Sequence, residues 1–294
     1  MTSLRSTLKS ATALAAFTLS FPMASWAEEP IPVVATFSIL GDMVERIGGE
    51  HIALTTLVGP DGDAHVYQPT PKAARSVAES DVLFLNGLDF EGWLERLAEA
   101  ASFDGAMVVA TNGVVPIAFD DHDDHDDHDD HDDEKHDDHD HGAFDPHAWQ
   151  SLENAVIYAN NIAAGLAKAD PENAGDYYAN RAAFVAEVEM LSADIEAMMK
   201  SLPADKRTVV TPHDAFGYFA ATYDLTFVAP QGMSTESEVS AGDVAALITQ
   251  IREESISAVF IESITDNRMM QQIANETGAT IGGTLYSDAL SAQS

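Results

Sequence analysis

The N-terminal part of the chain alternates short apolar runs with segments whose apolar residues recur every three or four positions. The first pattern predicts strands and the second predicts amphipathic helices, the clearest of which ends at Gly48 and Gly49. Strands that alternate with helices favour a mostly parallel sheet covered on both faces. The predicted strands are 32–37, 52–58, 82–86 and 106–110, and the predicted helices are 38–48, 71–79 and 91–101.

Two long helical segments follow, and then the alternation restarts. The first segment covers 151–168. In the second, Asp170 is the predicted N-cap, Pro171 the first helical residue, and the apolar recurrence continues to Leu202. A helix of about 30 residues would be about 45 Å long. The predicted fold class is α/β, with two lobes that contain mostly parallel central sheets and are joined by a single long helix. The further strands are 207–211, 225–229, 258–262 and 280–285, with helices at 214–223, 241–254 and 266–277.

The N-terminus has the pattern of a cleavable secretory signal. Arg5 and Lys9 precede a short apolar run over 11–21. Ser25 and Ala27 are the small residues that a signal peptidase site requires. The apolar run is shorter than the roughly 20 residues that span a bilayer. We therefore expect cleavage after Ala27, no membrane insertion and a soluble exported protein.

The composition is strongly acidic. There are 49 Asp and Glu against 14 Lys and Arg, the formal net charge is −35, and cysteine is absent. Such a chain lacks the basic surface that nucleic acid requires and is repelled by anionic membranes. The missing cysteine excludes disulfides, thiolate zinc sites, iron–sulfur clusters, cysteine nucleophiles and a cysteine-linked lipid anchor.

Residues 120–142 interrupt the α/β pattern with Asp-Asp-His repeats. The stretch 120–141 contains thirteen Asp, one Glu, one Lys and seven His. Because it has no apolar side chains to bury, it is predicted to be a mobile loop. Two interpretations stay open: a solvated charge run, or weak sites in which imidazoles bind Zn²⁺, Cu²⁺ or Ni²⁺ rather than Mg²⁺ or Ca²⁺. The histidines of this segment are His122, His125, His128, His131, His136, His139 and His141.

Only four histidines lie outside that segment. His51 follows two glycines and is predicted to be a solvated loop residue. His65, His147 and His213 lie at junctions between loops and predicted elements, in different β/α units. His213 follows a predicted strand at its carboxyl end, where open α/β sheets bind ligands.

Each of the three junction histidines has an ordinary interpretation as a loop or capping residue, and Asp288 has one as a turn residue. Three imidazoles and one carboxylate would also make a four-coordinate site suited to Zn²⁺. Spacing alone leaves both interpretations open. Four protein ligands leave no position for an activated water, which favours binding and release over hydrolysis. The sequence has no H-E-x-x-H, G-x-S-x-G, Walker A or G-x-G-x-x-G motif.

Longer motifs carry a resemblance that covers essentially the whole predicted mature chain. They are VVATFSILGDMVERIGG, GPDGDAHVYQPTP, VAESDVLFLNGLDFEGWLERL, DPHAWQSLENA, TPHDAFGYFAATYDL and LYSDALS, together with the His-rich insertion and the long helix. On these motifs the chain resembles the zinc-specific periplasmic solute-binding proteins of bacterial ABC importers, the high-affinity zinc uptake family. The resemblance implies a metal site in the cleft between two α/β lobes. It implies that His65, His147 and His213 are the nitrogen ligands and Asp288 the carboxylate ligand. Manganese relatives typically have a carboxylate at the position of His213.

The same resemblance implies a function. The protein would capture Zn(II) in the periplasm of a Gram-negative bacterium and deliver it to the membrane permease of an ABC transporter. We expect a monomer that is not an enzyme and binds no nucleic acid. The His-rich loop would scavenge zinc, sense excess zinc or dock a periplasmic zinc donor protein. Alternatives are a manganese or iron receptor of the same fold, a metal-binding adhesin or zinc buffer without a transporter, and a metal-dependent hydrolase.

The resemblance also implies a domain division. The signal peptide would cover 1–27, the N-terminal lobe 28–169, the linker helix 170–202 and the C-terminal lobe 203–294. The family normally continues after LYSDALS with a closing helix, whereas this sequence ends at Ser294, so the expectation is either a truncated C-terminal lobe or a lobe without that helix.

Overall fold

The computed structural model describes residues 29–118 and 144–292. The predicted signal peptide and the predicted His-rich loop lie outside the described residues. In the part of the chain that is described, no helix is long and apolar enough to cross a membrane.

The N-terminal lobe contains a four-stranded parallel sheet with the order β2-β1-β3-β4. Its central strand β1 is a run of β-branched and aromatic residues, and Val33 through Phe37 are buried, as expected for a strand covered on both faces. The strands are β1 (Ile31–Phe37), β2 (Ile52–Val58), β3 (Val82–Leu85) and β4 (Ala106–Val109). The helices are α1 (Ser38–Gly48), α2 (Pro71–Ala78), α3 (Leu94–Ala101) and α4 (Leu152–Ala169).

The C-terminal lobe contains a second four-stranded parallel sheet, with the order β6-β5-β7-β8. Its core is formed by buried aliphatic residues of β5, β7 and the last two helices. The strands are β5 (Thr208–Val210), β6 (Thr226–Val228), β7 (Ala258–Glu262) and β8 (Thr280–Leu285). The helices are α6 (Gly217–Tyr223), α7 (Ala241–Glu253) and α8 (Arg268–Thr277). Short 3₁₀ helices cover Gly49–His51, Ala148–Gln150 and Ala204–Lys206.

The two sheets share one topology, and the predicted α/β fold class is confirmed. In each sheet the first strand lies between the second and the third, so the strand order reverses beside β1 and beside β5. Open α/β sheets bind ligands at such switch points, outside the carboxyl ends of the strands. The segments that carry the predicted site residues follow the carboxyl ends of β2, β4, β5 and β8.

The long helix is α5 (Ala174–Ser201), with 28 residues. The prediction of Asp170 as its N-cap and Pro171 as its first residue was wrong, because the helix begins three residues later. Asp170 instead closes the preceding turn, since its carboxylate accepts hydrogen bonds from the Asn173 side chain at 2.8 Å and the Tyr177 hydroxyl at 2.6 Å.

Only the first half of α5 has buried side chains. Tyr177, Phe184 and Val188 are buried, whereas Leu191 and Met198 are exposed although they continue the same periodicity. The helix packs against α1 and α4 of the N-terminal lobe. A periodic apolar pattern predicts that a segment is helical, but the burial of its side chains depends on which other elements pack against the helix.

Three further predictions need correction. The predicted helix at 91–101 begins only at Leu94, after consecutive turns over 88–93 in which Leu88 and Asp89 have φ of 53° and 58°. The predicted helix at 214–223 begins only at Gly217. His51 is not a solvated loop residue: it ends a 3₁₀ helix, and its Nε2 lies 2.9 Å from Asp176 Oδ2.

Candidate metal centre

Four side chains that the sequence singled out, His65, His147, His213 and Asp288, meet between the two lobes. One ligand atom from each lies within 4.8 Å of the other three. His65 is 8% exposed, and the other three residues are 0% exposed. They come from the segments that follow β2, β4, β5 and β8, at the carboxyl ends of these strands, where open α/β sheets bind ligands.

His65 is held by the loop after β2. The Asp63 carboxylate accepts a hydrogen bond from the His65 backbone N–H at 2.9 Å. The Trp93 indole donates to the Ala64 carbonyl at 2.7 Å, which fixes the loop against the N-terminal lobe. The Phe90 ring lies 4.8 Å from the imidazole, centroid to centroid, and limits its rotation.

His147 is held by a carboxylate two residues earlier. Asp145 Oδ1 accepts the His147 backbone N–H at 2.9 Å and lies 2.7 Å from His147 Nδ1. A histidine that donates from Nδ1 presents an unprotonated Nε2 when the ring is neutral. The arrangement therefore directs a lone pair towards the centre of the cluster.

His213 has a similar carboxylate partner from a neighbouring strand. It lies three residues after β5, and Glu262 ends β7, which pairs with β5. His213 Nδ1 is 2.5 Å from Glu262 Oε2. The same Glu262 oxygen accepts a hydrogen bond from the Ser287 hydroxyl at 3.1 Å. Glu262 thus orients His213 and the segment that carries Asp288.

Asp288 is held by contacts from both lobes. Trp149 Nε1 and Gln150 Nε2, from the N-terminal lobe, donate to the Ser287 carbonyl at 2.8 and 2.7 Å. The Leu290 backbone N–H donates to Ser38 Oγ at 2.9 Å. The carboxylate is consequently fixed at the boundary between the lobes.

The polar atoms at the centre lack hydrogen-bond partners. Among the described residues, the Nε2 atoms of His65, His147 and His213 and both carboxylate oxygens of Asp288 are buried without a hydrogen bond. Buried polar atoms normally have partners, because leaving them without one is costly. Convergent nitrogen and oxygen lone pairs in such a cavity are suited to a cation.

The charged side chains of the cluster shift each other's pKa. Burial alone would raise the pKa of Asp288, but the positive charges of His213 and His147 hold it well below its usual value. Burial alone would lower the pKa of His213, but Asp288 and Glu262 raise it well above its usual value. Each of these two groups therefore favours the charged form of the other.

The distances around Asp288 are compatible with a small tetrahedral ion. Its Oδ2 lies 3.2 Å from His65 Nε2 and 3.3 Å from His213 Nε2, and its Oδ1 lies 3.6 Å from His147 Nε2. Metal bonds of about 2.0–2.1 Å give tetrahedral edges of roughly 3.3–3.4 Å. An ion of this size would therefore fit the contacts around Asp288, and the wider separations in the cluster, up to 4.8 Å, would have to shorten when it binds.

Sequence reasoning missed the carboxylates that support the histidines, which are Asp63, Asp145 and Glu262. Two of them had a signal in the sequence, because Asp63 and Asp145 each precede a histidine by two residues in a D-x-H pattern. Glu262 ends a predicted strand, but nothing in its local sequence indicates which histidine it would contact.

Comparison with known proteins gives the family context. The model of the ZnuA family, described as zinc-uptake complex component A, periplasmic, matches residues 33–294. The manganese-binding lipoprotein MntA of Halalkalibacterium halodurans is 30% identical over 263 residues, which are 89% of this chain and 81% of that protein. The iron-binding protein YfeA of Yersinia pestis is 31% identical over 261 residues, with coverages of 89% and 78%.

Solved structures agree with this context. The periplasmic zinc-binding protein TroA of Treponema pallidum has a TM-score of 0.78 at 26% identity, covering 89% of this chain and 90% of that one. A manganese-bound periplasmic metal-binding protein of Candidatus Liberibacter asiaticus, with an S38A mutation, has a TM-score of 0.75 at 29% identity, with coverages of 88% and 90%. The chain belongs to the ZnuA family, the periplasmic metal-binding components of ABC importers.

Proposed function

We propose that this protein is a zinc receptor that binds one Zn²⁺ between its lobes and delivers it to the permease of an ABC importer. The proposed ligands are His65, His147, His213 and Asp288. The observation that carries the proposal is the convergence of three buried imidazole Nε2 atoms and one carboxylate, which lack hydrogen-bond partners among the described residues. The zinc is the transported cargo, and four protein ligands leave no open position for hydrolytic chemistry.

The choice of zinc rests on the donor set. Imidazole nitrogen favours Zn²⁺, whereas Mn²⁺ favours carboxylates, carbonyls and water. The proposed site has three nitrogen donors and one carboxylate. A manganese or iron receptor is the competing candidate, because relatives are named as manganese-binding and iron-binding proteins.

Metal competition tests the proposal. We expect the purified mature protein, residues 28–294, to bind one Zn²⁺ tightly in a titration against a chelator of known affinity. A large molar excess of Mn²⁺ or Fe²⁺ should be needed to displace it. Displacement of Zn²⁺ by Mn²⁺ at a comparable concentration would instead assign the protein to manganese transport.

Zinc binding should depend steeply on pH. Because the Asp288 carboxylate and Glu262 raise the pKa of His213, a proton occupies this imidazole in the metal-free protein and must leave when the ion binds. Affinity is therefore expected to rise with pH through and above 6.5, the ordinary pKa of histidine, by up to about tenfold per unit. Calorimetry in buffers of different ionisation enthalpy should detect at least part of a proton released per zinc. No proton release at pH 6.5 would contradict this expectation.

Several further features complete the proposal. We infer a signal peptide at 1–27, export to the periplasm of a Gram-negative bacterium and a monomeric mature protein. The proposed division is a lobe over 28–169, a linker helix over 170–202 and a lobe over 203–294. The histidines of 120–142 would bind additional zinc weakly or dock a zinc donor protein, because a sequence of Asp-Asp-His repeats without apolar side chains must lose entropy to form a site.

A further inference from the structure

Tyr218 of the C-terminal lobe inserts its ring into the N-terminal lobe. It lies on α6 and is 4% exposed, and it belongs to the hydrophobic cluster that forms the core of the N-terminal lobe. A buried phenol needs hydrogen-bond partners for its hydroxyl, and this one finds two on the other lobe.

The two partners lie on a short antiparallel ladder. The Tyr218 hydroxyl donates to the Asp145 carbonyl at 3.0 Å and accepts from the Ile117 backbone N–H at 3.2 Å. The Asp145 backbone N–H donates to the Ile117 carbonyl at 2.9 Å, and Ala118 forms a bridge with Phe144. The Tyr218 hydroxyl of the C-terminal lobe thus contacts both paired segments of this ladder in the N-terminal lobe.

The preceding residue of α6 contacts the same aspartate from another side. A Cβ added at Gly217 would lie 2.4 Å from Asp145 Oδ2, so the carboxylate packs directly against the glycine backbone. The other carboxylate oxygen, Oδ1, binds both the backbone N–H and the imidazole of His147. We call Ile117, Asp145, Gly217 and Tyr218 the Tyr218 junction.

The Tyr218 junction connects two histidines of the cluster through α6. His213 lies four residues before the first residue of this helix, and Asp145 orients His147. A displacement of α6 relative to the N-terminal lobe would move the Asp145 carbonyl and carboxylate together, and with them the ring of His147.

We propose that Tyr218 is a positioning residue for the metal centre, which aligns His147 with His213 when the two lobes are together. This inference rests on the proposed zinc-binding function. The residue touches no metal ligand and acts through Asp145. It sets how tightly the ion is bound and how fast it is released.

Tyr218→Phe tests this role, because it removes the hydroxyl and keeps the ring in the core. Zinc affinity of the mature protein is measured with Zn²⁺ alone against a competing chelator, and release is followed after mixing with excess chelator. We expect an affinity about three- to tenfold weaker and faster release, the magnitude that the loss of about one net hydrogen bond gives. Gly217→Ala should weaken binding as well, because its methyl group would push Asp145.

Tyr177→Phe is the matched control. It also removes a buried hydroxyl, one that donates to Asp170 at 2.6 Å on the turn before α5, and it should leave zinc affinity unchanged. Unchanged zinc affinity and release rate in Tyr218→Phe would overturn this inference but not the proposed function. Equal losses of affinity in Tyr218→Phe and Tyr177→Phe would also overturn it, because they would indicate a general loss of stability. A wild-type protein without a tight zinc site would overturn the proposed function and this inference with it.

Discussion

Replacing His213 by alanine is expected to weaken zinc binding by more than about 100-fold, beyond the range typical for the loss of an outer partner of a metal ligand. His213 is fully buried, and its Nε2 lies 3.3 Å from Asp288 Oδ2 at the centre of the cluster. The substitution removes a nitrogen ligand and leaves Glu262 as a buried carboxylate without its imidazole. Titration with a competing chelator measures the loss, and the melting temperature of the metal-free variant shows whether the fold is retained.

Two controls locate the site. His51→Ala removes the one histidine that lies outside both the cluster and the His-rich segment, and it should leave zinc affinity unchanged. Deletion of 120–141 removes seven histidines and should remove only weak additional sites. A tight site that survives His213→Ala but disappears with the deletion would place the main zinc site in the acidic segment.

The fold could be predicted because its signals are local. The α1 residues Leu40, Val44 and Ile47 repeat at helical spacing and are all buried, and β1 is a mostly apolar run that follows a proline and ends before Ser38. The start of α5 could not be predicted from its local signals. Asp170 is a residue type that favours N-caps, but its carboxylate accepts hydrogen bonds from the Tyr177 hydroxyl and the Asn173 side chain instead. Residue type alone does not distinguish these two local arrangements.

The histidines of the cluster were partly predictable because their signals in the sequence are also local. Histidines at the carboxyl ends of strands are visible in a sequence once the strands are assigned, and His213 is an example. Their convergence depends on the matching order of the two sheets and on the way the lobes meet, which spacing alone does not determine. The contact between Glu262 and His213 could not be predicted from the local sequence. It depends on the pairing of β7 with β5, which places the carboxylate beside a histidine 49 positions earlier.

Glu262→Gln is expected to weaken zinc binding by about 10- to 100-fold, the range typical for the partner of a metal-binding histidine. Glutamine keeps the size of the side chain but removes the negative charge beside His213 Nδ1, so the imidazole becomes a weaker donor to the ion. It also changes the acceptor for the Ser287 hydroxyl, one residue before Asp288. Asp170→Asn is the matched control, because it neutralises another buried carboxylate, which contacts none of the four cluster residues, and it should leave affinity unchanged.

The pH dependence of this variant separates an electrostatic role of Glu262 from a merely structural one. Glu262 helps to raise the pKa of His213, so its loss lowers that pKa and reduces competition by the proton. At the highest pH measured, where the proton competes least, the loss of affinity should be largest. As the pH falls towards 6.5, weaker proton competition in the variant should offset part of the loss, and the two affinity curves should converge. Chelator competition at each pH measures both curves, and a loss that stays constant from pH 6 to 9 would indicate that Glu262 only supports the local structure.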